Sequence, residues 1–451
     1  MTKTLKQKAV RSGSWVIVGH IFSQGLRLGG NLILTRLLVP EMFGIMAIVT
    51  VILGGLAMFS DVGLLQNIIQ SKRGEESDYL NTAWTIQIVR GFLIFVIALS
   101  LSYGLYFLGQ TGYLSEELVY GNVELPFILA IVSVTAVISG FNSIHMLVLN
   151  RKFMMGKLVT IELLSQLIGL FFMLYWAWQH KEIWALVYGN IMTTSTKMLL
   201  SHIVNIGGVC RFRWERKAAH EIFHFGKWVF LTSIFGFLLN QGDRLLLGGL
   251  LSAEVLGVYT IAFFLANALK DVITKLVSSV FFPVLSQVVR EQPKQIQQIY
   301  YKIRAKIDIV SMFFAGFLYS SGSLIINSLY DQRYKDAGWM MEILSLSLAS
   351  VGFMLAGQLF LANGKSKLMS ILAASQVIGL YTFVPLMFFL YGVEAAIWAI
   401  ALNPTLRVIV SLIMMKKYYF LSIFREILFT PFFVIGVLSG EQLQKIIILL
   451  K

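Results

Sequence analysis

Charged side chains stand inside the long apolar segments of this chain, where each costs about 2.5–3.5 kcal/mol if it faces lipid at the bilayer centre. The basic ones are Arg27, Arg36, Arg90, Lys197, Arg244, Lys270, Lys275 and Arg407. The acidic ones are Asp61, Glu162, Asp243, Asp271 and Glu342. Basic charge is in excess, and buried cations offset the desolvation cost of an anion. These residues therefore indicate a route for an anionic ligand.

Some of these charges have a simpler explanation. Arg36 and Glu342 lie near segment ends, from which they are expected to reach the membrane interface. Asp271 and Lys275 can pair along one helical face. We predict that the remaining cations line a cavity, namely Arg27, Arg90, Lys197, Arg244, Lys270 and Arg407. The remaining acids are predicted to pair with some of them or to take part in ion coupling, namely Asp61, Glu162 and Asp243.

No catalytic residue, metal ligand or organic cofactor is predicted. Gly364-Lys365-Ser366 resembles the end of a phosphate-binding loop, but Leu359 stands where the earlier glycine is required. The six histidines have no metal-ligand spacing, and the single cysteine, Cys210, can form no intrachain disulfide. We therefore expect no enzyme activity. The identity of a coupling ion, H⁺ or Na⁺, is left open.

The elements that must position these charges are long and apolar. The chain is 57% hydrophobic and 13% charged, with a mean hydropathy of +0.75, whereas soluble domains carry about 25% charged residues. Apolar runs long enough to cross a hydrocarbon core of about 30 Å recur along the chain, at 13–38, 43–70, 80–108, 125–149, 156–178, 183–205, 225–250, 255–283, 307–330, 338–362, 368–391 and 394–416. Because the runs are continuous, we predict an all-α, polytopic helical membrane protein of about 12 spans.

The net charge of +14 is distributed unevenly. Lys and Arg concentrate in alternate loops, among them Lys72, Arg73, Arg151, Lys152, Arg304, Lys365 and Lys416, whereas the intervening loops hold only Lys181, Arg333 and Lys335. This pattern is typical of a chain with a cytoplasmic N-terminus and an even number of spans. It accounts for the basic balance without nucleic acid as a partner.

An internal repeat sets the expected architecture. Residues 13–48 align without a gap on residues 226–261, and 14 of 36 positions are identical, including Trp15 with Trp228 and Glu41 with Glu254. The offset covers six spans, so both copies enter the membrane in the same direction. We predict two six-helix lobes related by a pseudo-two-fold axis along the membrane normal. Their bounds are 1–208 and 223–416, with a basic linker at 209–222 and a weakly hydrophobic tail at 417–451 that is a candidate extra span.

Three stretches resemble a known family. They are Asn31-Leu-Ile-Leu-Thr-Arg-Leu-Leu-Val-Pro-Glu-Met-Phe-Gly44, Phe59-Ser-Asp-Val-Gly-Leu65 with Ile68-Ile69-Gln70, and Gly242-Asp-Arg-Leu-Leu-Leu-Gly248 with Leu256-Gly-Val-Tyr259. In order and spacing they resemble the Wzx-type oligosaccharide flippases of the multidrug/oligosaccharidyl-lipid/polysaccharide exporter superfamily. Members of that family often have fourteen helices, and here the last two look truncated.

The resemblance implies a transporter of the bacterial cytoplasmic membrane that flips polyprenyl-pyrophosphate-linked oligosaccharides by alternating access, without ATP. Membrane lipids and the polysaccharide polymerase or export machinery are further expected partners. Two alternatives stay open. One is a multidrug or cation antiporter of the same superfamily, although a basic cavity disfavours cationic cargo. The other is an integral-membrane glycan-processing enzyme, which commonly needs a large outer loop or a His/Asp cluster.

Overall fold

The computed structural model describes residues 3–203, 208–420 and 422–450, and every regular element within these ranges is a helix. The all-α, polytopic fold expected from the sequence is thereby confirmed. The chain forms two compact units, Met1–Leu256 and Gly257–Lys451. The lobe boundaries proposed from the repeat stay a prediction.

The first unit is built from ten helices within its described residues. They are α1 (Lys3–Leu37), α2 (Pro40–Phe59), α3 (Leu64–Gln70), α4 (Ser77–Gln110), α5 (Glu124–Val132), α6 (Val134–Gly140), α7 (His145–Arg151), α8 (Met155–His180), α9 (Trp184–Ile203) and α10 (Arg216–Gly248). A buried apolar core joins α3, α4, α7 and the start of α10, with Ile68, Tyr79 and Ile222 at its centre. This core packs α4, which carries Arg90, against α3 and against Val62 in the segment that follows α2.

The next helix, α11 (Ala253–Leu276), crosses the boundary between the units. The second unit then contains α12 (Phe282–Glu291), α13 (Ile296–Leu329), α14 (Ala337–Ser345), α15 (Met354–Ala362), α16 (Ser366–Tyr391), α17 (Val393–Tyr418), α18 (Ile423–Ile427) and α19 (Pro431–Leu450). Its core packs residues of α11, α13, α15, α16 and α17 around Tyr300, Leu355 and Phe360. Pro385 and Pro404 lie inside α16 and α17, which continue through them.

Each of the twelve predicted spans coincides with one helix or a run of consecutive helices, except that residues 204–205 of the sixth lie outside the described residues. Among the described residues, nine helical segments are long and apolar enough to cross a membrane, or ten with the bent pair Glu124–Gly140 and His145–Arg151. Helices α1, α9 and α10 fall outside this set. These less apolar helices carry Arg27, Lys197 and Arg244.

Two predicted spans are broken by short irregular segments. The span predicted at 43–70 separates into α2 and α3 at residues 60–63, where Gly63 adopts a left-handed conformation with φ of 64°. Glycine suits this position because it has no Cβ. The span predicted at 125–149 bends by 63° between α6 and α7. Such irregular backbone is tolerated at membrane depth where protein or a cavity surrounds it.

The C-terminal tail forms a long helix that docks on α13. Residues Phe424–Ile447 are long and apolar enough to cross a membrane. Glycines permit the close approach: a Cβ on Gly436 would lie 2.1 Å from the carbonyl oxygen of Phe313, and one on Gly316 would lie 2.0 Å from that of Phe433. Small residues at such seams let two helix backbones approach each other closely.

Candidate functional site

Arg90 of α4 lies in the wall between two cavities of the first unit. The cavity on one side, here called the polar cavity, has a volume of about 430 Å³. Its hydrogen-bonding lining residues are Thr50, Gln87, Arg90, Thr135, Ser139 and Asn190. The cavity on the other side, here called the apolar cavity, has a volume of about 400 Å³. Its lining is Phe59, Ser60, Asp61, Val62, Ile86, Val89, Arg90, Leu93, Trp214, Phe223, Gly226 and Phe230.

The Arg90 guanidinium is held at the break between α2 and α3. Its Nε donates to the hydroxyl of Ser60 at 3.0 Å, and its Nη2 donates to the carbonyl oxygen of Ala57. Its Nη1 lies 3.9 Å from Oδ1 of Asp61, which accepts the backbone N–H of Gly63 at 3.0 Å. A guanidinium has five N–H donors. These contacts fix the group and leave donors that a ligand can use.

The polar cavity has a rigid floor where α4 crosses α6. A Cβ on Gly91 would lie 2.7 Å from the carbonyl oxygen of Ala136, so the two backbones nearly touch. The side-chain amide of Gln87 donates to the carbonyl oxygens of Gly140 and Asn142, at 2.9 Å each, and ties α4 to the bend after α6. The cavity is therefore pre-formed rather than dependent on flexible side chains.

Asp61 and Glu162, which the sequence predicts to pair with cations or to take part in ion coupling, both lie beside basic residues. Asp61 faces Arg90, as described, and Glu162 of α8 lies 3.4 Å from the ammonium of Lys197 of α9. The pair of Lys197 and Glu162 is half-exposed and does not line either cavity around Arg90. The third acid, Asp243 of α10, is buried.

The other predicted cavity cations lie on four different helices, two in each unit. Arg27 is exposed on α1, and Arg244 of α10 donates to the amide oxygen of Gln241 at 3.1 Å. In the second unit, Lys270 donates to Oδ1 of Asn267 at 3.3 Å. Arg407 approaches Gly357 so closely that a Cβ there would lie 2.9 Å from its Nη2. The assignment of these residues to a substrate path stays a prediction.

Sequence reasoning missed a buried charged cluster in the second unit. The loop charges place Arg304 in a cytoplasmic segment that is either an amphipathic interfacial helix or a solvated connector, but this residue lies within α13 and is only 2% exposed. Its Nε is 3.1 Å from Asp308, its Nη1 bonds to Glu426 of α18, and its guanidinium lies 3.7 Å from the ring centre of Phe353. The i,i+4 spacing of Arg304 and Asp308 was a signal available in the sequence, whereas nothing local marked Glu426.

A charged clamp holds the loop between α3 and α4 of the first unit. Arg73 in that loop is 2.8 Å from Glu215, just before α10, and Glu75 is 2.9 Å from Lys152, just after α7. The hydrogen bond from Lys152, together with the charges of Lys152 and Arg151, lowers the pKa of Glu75. The loop is therefore tied through charge pairs to the start of α10 and to the end of α7.

The described residues contain no group of three or more His, Cys, Asp and Glu side chains placed to hold a metal ion. What they contain is a set of apolar helices of membrane-crossing length, with an arginine fixed between two cavities. These features define a multi-pass helical membrane protein with ligand-sized cavities among its helices.

The chain belongs to the polysaccharide biosynthesis protein family, whose family model matches residues 33–338. This match confirms the resemblance noted in the sequence. The chain is 24% identical over 288 residues to an uncharacterized membrane protein in the cps region of Klebsiella pneumoniae, covering 63% of this chain and 57% of that one. It is 21% identical over 318 residues to the teichuronic acid biosynthesis protein TuaB of Bacillus subtilis, covering 68% and 62%. It is 21% identical over 358 residues to the succinoglycan biosynthesis transport protein ExoT of Rhizobium meliloti, covering 77% and 68%.

The chain thus spans 57% and 62% of the lengths of the first two relatives. Two solved structures share its fold. The lipid II flippase MurJ in an inward closed conformation has a TM-score of 0.69 at 14% identity, covering 95% of this chain and 96% of that one. An inward-facing multidrug resistance MATE family transporter of the MOP superfamily has a TM-score of 0.63 at 12% identity, covering 95% and 99%. At these identities the likeness shows the fold alone.

Proposed function

We propose that the protein flips polyprenyl-pyrophosphate-linked oligosaccharides across the bacterial cytoplasmic membrane by alternating access, for the synthesis of a surface polysaccharide. Its family membership and the names of TuaB and ExoT support a cargo of this kind. The fold shared with a lipid II flippase supports movement of a lipid-linked saccharide. The loop charges support a cytoplasmic N-terminus.

The observation that carries the proposal is the order of surfaces around Arg90. The cavity on one side carries hydroxyl and amide groups among apolar residues, the guanidinium stands in the wall, and the cavity on the other side is lined mainly by aromatic and aliphatic side chains, with Ser60 and Asp61 beside them. A lipid-linked oligosaccharide has the same order: sugar, diphosphate, prenyl chain. Cavities of this size are typical of small-molecule sites, and a guanidinium matches the geometry of phosphate oxygens.

In this proposal the diphosphate competes with Asp61 for the guanidinium of Arg90. Arg27, Lys197, Arg244, Lys270 and Arg407 are further candidate anion contacts. The protein acts as a transporter without catalysis or an organic cofactor, and H⁺ or Na⁺ is the candidate coupling ion. An arginine fixed between the two cavities disfavours the cation-antiporter alternative, because a cationic cargo would meet like charge there.

The test is replacement of Arg90 by alanine in a host whose own gene is deleted, with surface polysaccharide measured against the amount of protein in the membrane. A charge-assisted hydrogen bond contributes about 1.5–3 kcal/mol, so Arg90→Ala should lower export by about 10- to 100-fold. Arg90→Lys should retain part of the activity, because it keeps the charge but loses the planar fork.

The matched control is Arg290→Ala, since Arg290 is exposed at the end of α12 and lines neither cavity. It should export like the wild type. Export by Arg90→Ala at the wild-type level, at equal protein abundance, would refute the proposed role of Arg90 in carrying the cargo.

A further inference from the structure

The second unit has its own cavity, of about 490 Å³, where α13, α14 and α17 meet. Its lining combines three aromatic side chains with two carboxylates: Tyr319, Trp339, Glu342, Ile343, Glu394 and Trp398. Trp339 lies near the start of α14 and Glu394 near the start of α17. The loop charges predict that both helix starts face the outer side of the membrane. Neither the anion route nor the cavities around Arg90 involve this place.

The carboxylate of Glu342 is fixed in position. From its place near a span end, the sequence predicts that this side chain reaches the interface, yet its Oε1 accepts the backbone N–H of Ser323 at 2.7 Å. A Cβ on Gly322 would lie 2.7 Å from Cγ of Glu342, so the side chain crosses α13 at a glycine. One carboxylate oxygen is thereby occupied, and the other remains for a ligand in the cavity.

Neighbouring side chains also hold the aromatic residues that line this cavity. The ring of Tyr319 lies 6.2 Å from that of Phe433, so the C-terminal helix α19 backs one wall of the cavity. Trp398 stands one helical turn after Glu394 on α17, which places an indole beside an exposed carboxylate. Indole and phenol rings offer flat apolar faces with a polar edge.

We infer that this cavity binds a saccharide. A sugar ring presents apolar C–H faces that can stack on Trp339 or Trp398, and hydroxyl groups that can donate to Glu342 and Glu394. The volume suits a small organic molecule. An organic cation is the competing ligand, because cations also bind between aromatic rings and carboxylates. The sugar is favoured because the hydrogen bond from Ser323 holds the Glu342 carboxylate in one orientation, which suits directional hydrogen bonds from hydroxyl groups, whereas a cation requires no such orientation.

This inference rests on the proposed function in one respect: the natural ligand of the site would be the sugar part of the cargo. Binding can be measured without transport. The full chain is purified into lipid nanodiscs, which avoids sugar-based detergents, and titrated with cellobiose while tryptophan fluorescence is recorded. Cellobiose should give a saturable change in the wild type.

Two variants and a matched control assign the signal. Trp398→Leu should weaken cellobiose binding at least tenfold, a loss of about 1.4 kcal/mol. Glu394→Gln, which keeps the shape of the side chain, should weaken it by several fold. Trp178→Leu removes an exposed tryptophan of α8 in the first unit and should leave binding unchanged.

The inference is overturned if the wild type gives no saturable response up to about 100 mM cellobiose, a concentration at which half-saturation corresponds to only about 1.4 kcal/mol of binding free energy. It is also overturned if Trp398→Leu and Trp178→Leu behave alike, or if tetraphenylphosphonium binds in place of cellobiose. Arg90→Ala should keep cellobiose binding while losing export. A failed titration with Arg90-dependent export would therefore reject the saccharide site and leave the proposed flippase standing.

Discussion

Replacement of Glu426 should destabilise the second unit strongly, although this residue lies in a five-residue helix near the end of the chain. The Glu426 side chain is 6% exposed, bonds to Arg304 and accepts a hydrogen bond from the hydroxyl of Tyr301 at 2.9 Å. The bond between Arg304 and Glu426 joins two charged groups and contributes about 1.5–3 kcal/mol, and the Tyr301 hydroxyl adds at least the roughly 0.5–1.5 kcal/mol of an ordinary hydrogen bond. Glu426→Ala should therefore cost about 2–4 kcal/mol.

Breaking a buried ion pair usually costs about 3–5 kcal/mol. The cost expected for Glu426→Ala is somewhat smaller, because Asp308 still faces Arg304 at 3.1 Å. For a unit of this size, each kcal/mol lowers the unfolding midpoint by about 2–4 °C, so the expected decrease is about 4–16 °C. The Tyr301 hydroxyl and Arg304 bond to different oxygens of Glu426, so Glu426→Gln keeps an acceptor for one partner only and should lose about 1–3 kcal/mol.

The assay is thermal unfolding of the purified full chain, followed by tryptophan fluorescence. Glu441→Ala serves as the control, since Glu441 is an exposed glutamate on α19. Its unfolding midpoint should match that of the wild type. Equal midpoints for Glu426→Ala and Glu441→Ala would show that the cluster contributes no net stability, and the reasoning from burial would be refuted.

Two further predictions concern the first unit. Gly91→Ala places a Cβ 2.7 Å from the carbonyl oxygen of Ala136 and should lower the free energy of unfolding by about 1–3 kcal/mol. Gly104→Ala, on the same helix with open space around it, should instead raise the free energy of unfolding by about 0.5–1 kcal/mol. Equal midpoints of the two variants in thermal unfolding would contradict this prediction. Because Lys152 lowers the pKa of Glu75, the stabilisation from this pair is complete above the ordinary value of 4.5 and is lost as the pH falls below it. Once the intrinsic pH dependence of amide exchange is divided out, the protection of the loop at 71–76 should therefore fall below pH 4.5 in the wild type and change less with pH in Glu75→Gln.

The sequence predicts the spans well because membrane insertion demands long apolar runs whatever their neighbours are. It predicts the breaks less well. Asp61 and Gly63 lie in an apolar run that the sequence predicts as one span. The break in this span depends on Arg90, thirty residues away, which donates hydrogen bonds to Ser60 and to the carbonyl oxygen of Ala57 at the end of α2. Only tertiary contact makes that irregular backbone stable, so local patterning cannot reveal it.

The same limit explains the charged residues. Arg304 lies in a basic stretch that has the pattern of a cytoplasmic segment between two spans. It is buried because it contacts Phe353 and Glu426, which lie 49 and 122 positions further along the chain. Glu342 reads as a side chain near a span end, yet it packs over a glycine of the preceding helix. Pairing partners far apart in the sequence decide whether a charge faces lipid, a cavity or another charge.

If Arg90 binds the cargo as proposed, its hydrogen bond to Ala57 links cargo occupancy to the backbone of α2. A ligand that takes the Nη2 hydrogens of Arg90 removes a donor from the Ala57 carbonyl, at the point where α2 stops. Occupancy and the conformation of residues 60–63 are then reciprocally coupled: whatever loosens this break should strengthen anion binding, and bound anion should loosen the break by the same free energy. Binding at Arg90 would thus change the conformation at the end of α2.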